Sequence, residues 1–388
     1  MKIAICTIGS RGDVQPFLIL GRALADRGHE VKFSTATMYA DMVSSYGLNF
    51  YPFSGDYEKL VNDEEMKKLI GKNPFSIMGK LKKHVYPIIS QSLDTFYEVT
   101  KWADLVVYHP KTLIDSFGQS FRSKLIKAYV VPAFTPTQAF ANPVLAAYPI
   151  PGFLNKLTFK LTNALFGTMK TPIKNFQRKH QLIGKFRLLN TPVLYGISEF
   201  LIERPADYPS DHFFTGFWFD KNADNTIADE VARFFNTQDK KLIITFGSMP
   251  YQSDIPIATF IHSLQKRLTV RVLVVRGWGL RDVTISESEN LMVIDKAPFE
   301  HLFPLADGIV HHGGAGTTAI SLKAGVPMFV CPVLHPSGDQ YFWGKQIEQS
   351  GLGVEPVPLK KLTIGQFVSS VEQLLTNDFS ARTTAMQQ

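Results

Sequence analysis

The 388-residue chain has little cysteine: its only two thiols, Cys6 and Cys331, lie in apolar runs of opposite halves of the sequence. This usage is not that of a secreted disulfide framework, so we expect two buried free thiols in a reducing compartment. No signal peptide precedes the first apolar run, Lys2 to Ile8, which predicts a buried strand. Together these features favour a cytoplasmic protein.

Acidic residues are missing between Ser116 and Ser198, a stretch that contains eleven Lys and Arg residues. Three interpretations of this basic region, residues 122–187, are open: a solvated face, an anionic membrane surface, or nucleic acid. Phe and Leu residues alternate with the charges, as in helices that lie at a membrane interface, so we favour a peripheral membrane contact. No known nucleic-acid-binding motif is found, and we expect no nucleic-acid partner.

One uncharged stretch, residues 128–150, is long enough to cross a bilayer. Four prolines interrupt it, at positions 132, 136, 143 and 149, and a spanning helix does not accommodate them without broken hydrogen bonds. The stretch therefore predicts a strand followed by a long apolar loop.

The content of hydrophobic residues, 45%, with 12% aromatics, is sufficient for two packed cores. Short apolar runs alternate with segments of helical spacing, first from Lys2 to Ile197 and again from Ile227 to Leu375. This alternation is typical of parallel sheets with crossover helices. We therefore predict an α/β fold of two tandem Rossmann-like doubly wound domains, residues 1–218 and 219–388, that face each other across a cleft.

The most informative stretch is Val310 to Thr318, in which a predicted strand ends at His311-His312-Gly313-Gly314 and a helix follows. The first backbone N–H groups of a helix have no partner within it and lie at the positive end of its dipole, which favours a bound phosphate. The two imidazoles and the hydroxyl of Thr317 add donors. A glycine-rich turn with two buried histidines is the alternative.

Three other loops at predicted strand ends carry polar groups: Gly9 to Asp13, Gly247-Ser248, and Pro332 to Gln340. Asp339 and Gln340 open a predicted helix, where they are able to hydrogen-bond the hydroxyls of a sugar or, alternatively, Asp339 simply caps the helix.

In order along the chain, these motifs resemble the GT-B glycosyltransferases, particularly the nucleotide-sugar enzymes that glucosylate sterols, glycolipids and antibiotic aglycones. The stretches that carry the resemblance are Gly9 to Pro16, Phe246 to Met249, Ala297-Pro298 before Leu302-Phe303-Pro304, His311 to Thr318, and Asp339-Gln340. Residues 57–102 and 150–190, expected to form much of the acceptor pocket, match no pattern that we recognise.

The resemblance implies that the second domain binds a UDP-sugar and the first an apolar hydroxylated acceptor such as a sterol or glycolipid. The implied roles are Asp13 as the catalytic base, Ala297 and Pro298 on the nucleotide base, and Asp339 and Gln340 on the sugar. His109, at the end of the predicted strand Leu105 to Tyr108, is the alternative base or an acceptor contact, or else a core or loop histidine. The implied phosphate contacts are Ser10, Arg11, Ser248, His311, His312, Gly313, Gly314, Ala315, Gly316 and Thr317.

In the implied reaction, an acceptor hydroxyl loses its proton to Asp13 as it attacks the anomeric carbon opposite the departing diphosphate, which inverts that centre. The sequence contains no Asp-X-Asp triplet, so we predict a metal-independent hexosyltransferase with no cofactor. Two alternatives are a non-catalytic protein that binds nucleotide sugars for a partner transferase and a nucleotide-sugar epimerase. Intact Asp13 argues against the first and the histidine pair against the second.

Overall fold

The protein was analysed as a computed structural model that describes residues 1–53, 78–117, 122–182, 189–220, 226–281, 283–379 and 383; side chains of 78–84 and 165 are excluded. The chain forms two compact units. Unit 1 comprises Met1–Asn142, Ile150–Glu199 and Glu203–Phe219, and unit 2 comprises Pro143–Pro149, Phe200–Ile202 and Asp220–Gln388. Two short segments that precede Asp220 in the sequence thus belong to the second unit.

Unit 1 is built on a seven-stranded parallel sheet in the order β3-β2-β1-β4-β5-β6-β7. Its two central strands, β1 and β4, are mostly apolar and buried, as a parallel sheet covered by helices requires. The strands are β1 (Lys2–Cys6), β2 (Glu30–Ser34), β3 (Asn49–Phe50), β4 (Leu105–Tyr108), β5 (Lys124–Tyr129), β6 (Val193–Tyr195) and β7 (His212–Phe214).

The helices of unit 1 lie in the segments that connect consecutive strands of its sheet. α1 follows β1 and buries Val14, Phe17 and Leu18 against the sheet. The helices are α1 (Arg11–Ala25), α2 (Ala40–Ser45), α3 (Met78–Trp102), α4 (Asn155–Asn163) and α5 (Lys170–Lys179).

Unit 2 contains a five-stranded parallel sheet in the order β10-β9-β8-β11-β12. The strands are β8 (Lys240–Thr245), β9 (Val270–Val275), β10 (Leu291–Ile294), β11 (Gly308–His311) and β12 (Met328–Val330). The helices are α6 (Asp229–Phe235), α7 (Ile257–Gln265), α8 (Phe299–Leu302), α9 (Ala315–Ala324), α10 (Gln340–Gln349) and α11 (Ile364–Thr376).

Each sheet has a point where the strand order changes direction. In unit 1 the chain moves outward from β1 through β2 to β3 and then returns to β4, beside β1; in unit 2 it moves from β8 to β10 and returns to β11, beside β8. The loops that leave the two central strands run apart at such a point and open a crevice, where ligands of doubly wound proteins bind. Three of the polar loops predicted from the sequence follow central strands: Gly9 to Asp13 follows β1, Gly247-Ser248 follows β8, and the loop from His312 follows β11, whereas Pro332 to Gln340 follows the edge strand β12.

The two parallel-sheet α/β domains predicted from the sequence are confirmed. Strand β1, Lys2–Cys6, lies in the apolar run for which a buried strand was predicted. Of residues 57–102, expected to form much of the acceptor pocket, 57–77 lie outside the described residues and Met78–Trp102 form α3. Within the described residues, no helix combines the length and the apolar character needed to cross a bilayer.

Candidate active site

Asp13 lies in the first turn of α1, where three groups hold its carboxylate. Its Oδ2 accepts hydrogen bonds from the backbone N–H of Ser10, at 2.9 Å, and from the Ser10 hydroxyl, at 3.1 Å. Its Oδ1 lies 2.7 Å from Nζ of Lys111, in the loop after β4. The N-cap residue of α1 is Ser10, and Asp13 bonds back to it from the third helical position.

Gly9 is required for this arrangement. Its φ is +144°, which side-chain-bearing residues rarely adopt, and a Cβ there would overlap the Asp13 carboxylate. The Gly9 carbonyl accepts a hydrogen bond from the buried hydroxyl of Tyr39, at 3.0 Å. The loop after β1 is therefore fixed from both sides.

The electrostatics of Asp13 are set by burial and by the Lys111 charge. Burial raises the pKa of Asp13, but the Lys111 ammonium, the neighbouring His109 and the Ser10 N–H together outweigh it, so that the pKa lies below its usual value. The carboxylate is ionised at neutral pH, as a base must be, and less basic than a free carboxylate.

His109 follows β4 and is buried, with 2% of its surface exposed. Its Nδ1 accepts the backbone N–H of Lys111 at 3.2 Å, and its ring packs edge-on against Phe17 and Phe134. Burial and the Lys111 charge lower its pKa to about 3, against a smaller opposing effect of Asp13. His109 is therefore a neutral side chain in an apolar setting beside Asp13.

The remaining predicted residues of unit 1 are Ser10 and Arg11. The Ser10 hydroxyl is already engaged with Asp13, and Nε of the exposed Arg11 donates to Gln15 Oε1 at 3.0 Å. Both side chains lie on unit 1, and their contact with the donor phosphates stays a prediction.

In unit 2, the two histidines of the glycine-rich loop have different surroundings. We expected both imidazoles at the mouth of the loop, but His311 is the last residue of β11 and is fully buried. Its Nδ1 accepts the backbone N–H of Gly313 at 3.1 Å, so its ring stabilises the turn from inside. Gly313 has a φ of +86°, and a Cβ there would lie 2.7 Å from the carbonyl oxygen of Gln340.

His312 is the histidine of the pair that borders the loop. A Cβ on Gly314 would overlap its ring, and a Cβ on Gly247, in the loop after β8, would lie 3.1 Å from its Cε1. The ring therefore fits between two glycines of the loops that flank the switch point of unit 2. Its Nδ1 is buried with no hydrogen-bond partner among the described residues.

Burial keeps both histidines neutral. It lowers the pKa of His312 to about 4 and that of His311 to about 3, with a smaller contribution from the neighbouring ring at His311. A buried polar nitrogen without a partner costs roughly 1 to 3 kcal/mol. An anion that accepts a hydrogen bond from His312 would recover part of that cost.

The N-terminus of α9 supplies the other donors. Its N-cap is Gly314, which has no side chain to bond the first-turn N–H groups, and Ala315, Gly316 and Thr317 are all partly exposed there. No Cβ contact lies within 4 Å of Gly316, so a ligand has room to approach. A helix N-terminus of this kind binds phosphate through its backbone N–H groups and dipole.

Ser248 lies in the loop after β8, which neighbouring glycines hold in place. The Gly247 carbonyl accepts the N–H of Gly279 at 2.9 Å, and the Gly279 carbonyl accepts the N–H of Tyr251 at 2.9 Å. Ser248 is partly exposed on this loop, beside the strand that leads to His312.

Ala297 and Pro298 line a pocket of about 520 Å³ in unit 2, at the carboxyl ends of β9 and β10. Its wall also includes Arg276, Val293 and Asp295, and segment 226–231 closes another side. A pocket of this size, with both apolar and polar walls, suits a planar heterocycle.

Asp339 is the N-cap residue of α10 and Gln340 its first residue. They lie beside the glycine-rich loop His311 to Thr318, which we call the phosphate loop after its predicted ligand, since Gly313 packs against the Gln340 backbone. The buried Gln340 uses Oε1 to accept two backbone N–H groups, those of Val333 and Leu334, each at 2.8 Å. Asp339 Oδ2 accepts the indole N–H of Trp343 at 3.0 Å. Both side chains therefore also support the local fold, and their contact with a sugar stays a prediction.

Sequence reasoning missed Lys111. Its signal was present in outline: Lys111 follows β4 by three residues, and β4 pairs with β1, whose loop carries Asp13. Only the fold reveals that the ammonium reaches the carboxylate. Among the described residues, no three His, Cys, Asp or Glu side chains are close enough together to hold a metal ion.

Comparison with protein families finds two matching domains. Residues 3–110 match the glycosyltransferase family 28 N-terminal domain, and residues 273–388 match the C-terminal domain of erythromycin biosynthesis protein CIII-like proteins. The first range includes Asp13 and His109, and the second includes His311 to Thr318 and α10.

Among curated proteins, the chain is 29% identical to a sterol 3-beta-glucosyltransferase of Arabidopsis thaliana over 97% of the chain and 63% of that relative. It is 28% identical to a sterol 3-beta-glucosyltransferase of Yarrowia lipolytica, again over 97% of the chain but only 27% of the relative. The chain thus spans less than two thirds of the length of these relatives.

Among solved structures, the kitacinnamycin glycotransferase matches with a TM-score of 0.72 at 16% identity, over 100% of this chain and 94% of that one. The calicheamicin glycosyltransferase CalG4 matches with a TM-score of 0.67 at 15% identity, over 100% and 93%. The resemblance predicted from the motifs is confirmed: the chain has the GT-B fold, and its two halves are similar to the family 28 and CIII-like glycosyltransferase domains.

Proposed function

We propose that the protein is an inverting glycosyltransferase that moves a hexose, glucose by our preference, from a UDP-sugar to a hydroxyl of a sterol or a related apolar lipid. The observation that carries this proposal is the phosphate loop of unit 2. Partly exposed first-turn residues of α9 and the ring of His312, whose Nε2 borders the N-cap Gly314, lie together at the switch point of the five-stranded sheet.

The leaving group is a nucleoside diphosphate, whose negative charge grows as the glycosidic bond breaks. We propose that the N–H groups of Ala315, Gly316 and Thr317, with Ser248 and neutral His312, stabilise that charge. Gly313 and Gly314 let the diphosphate approach, and His311 supports the turn from within. The pocket lined by Ala297 and Pro298 would hold the base.

The base of the reaction is Asp13. As the acceptor oxygen attacks the anomeric carbon, its proton passes to the Asp13 carboxylate, and the sugar–phosphate bond breaks on the opposite face. Lys111 and the Ser10 N–H orient that carboxylate. His109, buried and neutral, supports the apolar wall beside it, which fits an apolar acceptor better than a charged one.

The sterol acceptor is supported by the curated relatives, which are sterol 3-beta-glucosyltransferases. The lowered pKa of Asp13 fits a base that is ionised at neutral pH. The spinosyn rhamnosyltransferase SpnG, whose structure matches this chain with a TM-score of 0.66, was solved in complex with thymidine diphosphate. UDP and TDP donors must therefore be compared directly.

The test is transfer of labelled glucose from UDP-glucose or TDP-glucose to a sterol dispersed in detergent, with EDTA present and absent. We expect a glycosylated sterol, faster turnover with UDP-glucose, the inverted anomer by NMR, and no effect of EDTA. Donor binding without transfer to any sterol or lipid hydroxyl would instead indicate a non-catalytic nucleotide-sugar protein. Conversion of the free donor sugar without an acceptor would indicate an epimerase.

A further inference from the structure

Helix α4 of unit 1 buries Phe159 together with polar side chains and exposes two leucines. The polar side chains of the inner face are held by hydrogen bonds: Asn155 Nδ2 donates to the Gln138 carbonyl, and Thr158 Oγ1 and Thr162 Oγ1 accept from Asn142, each at 2.8 Å. The outer face carries Leu157 and Leu161 beside Lys156 and Lys160. A helix that packs on a globular unit normally presents polar residues alone to water.

Three apolar side chains form this outer face, at spacings of four residues: Phe153, Leu157 and Leu161. Residues so spaced lie on one side of a helix. Phe153, in the 3-10 turn that leads into α4, is 85% exposed, Leu157 46% and Leu161 58%. We call these three residues the apolar stripe. By contrast, Phe159 and Phe176, which alternate with the same basic residues in the sequence, are buried and belong to the core.

Basic side chains accompany the stripe. Lys156 and Lys160 occupy the adjacent positions of α4, and α5, which follows after one 3-10 segment, exposes Lys170, Lys174 and Arg178. Lys156 pairs with Asp207 at 3.0 Å, but Lys160, Lys170, Lys174 and Arg178 have no acidic partner among the described residues. No acidic residue occurs between positions 116 and 198 to neutralise them.

We propose that the apolar stripe inserts into the interface of an anionic bilayer, with the basic side chains of α4 and α5 binding its headgroups. Exposed Phe and Leu on a helix flanked by Lys is the composition of helices that lie in a membrane interface. Unpaired lysines add attraction to anionic lipid. A face that simply remained in water would gain nothing from a phenylalanine and two leucines in one row.

This surface would bring the protein to the bilayer in which an apolar acceptor dissolves, so the biological role of membrane binding rests on the proposed function. Membrane binding itself does not depend on that function. Vesicle binding is measured without donor or acceptor, and failure of sugar transfer leaves the result unaffected.

The first experiment is sedimentation of the full chain with two kinds of vesicle: phosphatidylcholine alone, and phosphatidylcholine with about 30 to 40 per cent phosphatidylserine. The second kind is anionic enough to attract polybasic segments. We expect binding to the anionic vesicles that weakens as salt is raised. The Phe153→Ser/Leu157→Ser variant should bind about tenfold or more weakly. The matched control, Phe213→Ser, removes a phenylalanine that is 51% exposed on β7 and should bind as the wild type does.

The second experiment measures the insertion of position 153 into the bilayer directly. Both native cysteines are fully buried, so an engineered Phe153→Cys takes an environment-sensitive fluorophore selectively, as does the control Phe213→Cys. We expect a blue shift on anionic vesicles at position 153 only.

The proposal is overturned if the wild type binds anionic and neutral vesicles equally, or if the double variant retains full binding. It is also overturned if the label at position 153 shifts without vesicles as protein concentration rises, because the stripe would then contact a second copy of the chain. Charge reversal by Lys174→Glu/Arg178→Glu should weaken binding severalfold, whereas Lys360→Glu, on unit 2, should not.

Discussion

Asp13 Oδ1 lies 2.7 Å from Lys111 Nζ, so the carboxylate that we propose as the base is ion-paired with a cation from the neighbouring strand's loop. The pair exists because β1 and β4 are adjacent and parallel, which brings the residues after their carboxyl ends together. The same pair keeps Asp13 ionised and limits its basicity, and several predictions depend on it.

Replacement of Lys111 by Met should shift the pH dependence of transfer. Lys111 lowers the pKa of Asp13, so its removal raises that pKa, and the acidic limb of kcat/KM should move to higher pH. The measurement is kcat/KM against pH. Lys101→Met, which breaks an exposed pair with Glu98, is the control and should leave the limb in place. An unmoved limb in Lys111→Met would show that Asp13 is not the titrating base.

Asp13→Asn should abolish most of the turnover and spare donor binding. The amide keeps the shape of the side chain and its contact with Ser10, but it does not accept the proton, so kcat should fall by about 10² to 10⁴. Donor affinity, measured by calorimetry, should change little because the donor loop is in the other unit. Asp41→Asn, at the start of α2, should retain wild-type kcat. Full activity in Asp13→Asn would remove the base assignment.

Gly314→Ala should weaken donor binding through the His312 ring. The φ of Gly314 is −69°, so alanine strains no backbone, but its Cβ would overlap the ring and push it out of place. We expect the Kd for UDP to rise about tenfold or more by calorimetry. Gly365→Ala, with no atom within 4 Å of the added methyl group, should bind UDP normally and raise the stability of α11 by about 1 kcal/mol.

His312 and His311 should make the protein acid-sensitive without making UDP binding depend on pH near neutrality. Their folded pKa values, about 4 and about 3, lie below the unfolded value of about 6.5. The unfolded chain therefore binds more protons, and stability falls as pH drops below about 6.5, down to the folded values. Chemical denaturation from pH 7 to pH 5 should show this loss.

The His312→Ala variant should lose part of that pH slope, while His262→Ala, exposed on α7, should keep it. Between pH 7 and 8 the Kd for UDP should be unchanged, because neither imidazole carries a charge there. A Kd that fell steeply toward pH 6 would show that a protonated histidine binds the diphosphate.

The sequence by itself determined the strand and helix order, since buried parallel strands must be apolar and amphipathic helices must follow them. It also identified the loops that hold the candidate site residues: Gly9 to Asp13 and His311 to Thr317 lie where predicted strands end at glycines. These are local properties, readable from the spacing of residues along one element.

Tertiary structure alone decided which of those side chains meet and which are covered. Strand order brings Lys111 to Asp13 across 98 residues of sequence. It also seats the His312 ring between Gly247 and Gly314, and buries His311 inside the turn that it was expected to border. Likewise, the basic region alternates Phe and Leu with Lys throughout, and only packing assigns Phe159 to the core and Phe153 to water. The type of a side chain limits the contacts that it is able to make. The topology of the sheet sets its neighbours in space, and these decide which contacts it makes.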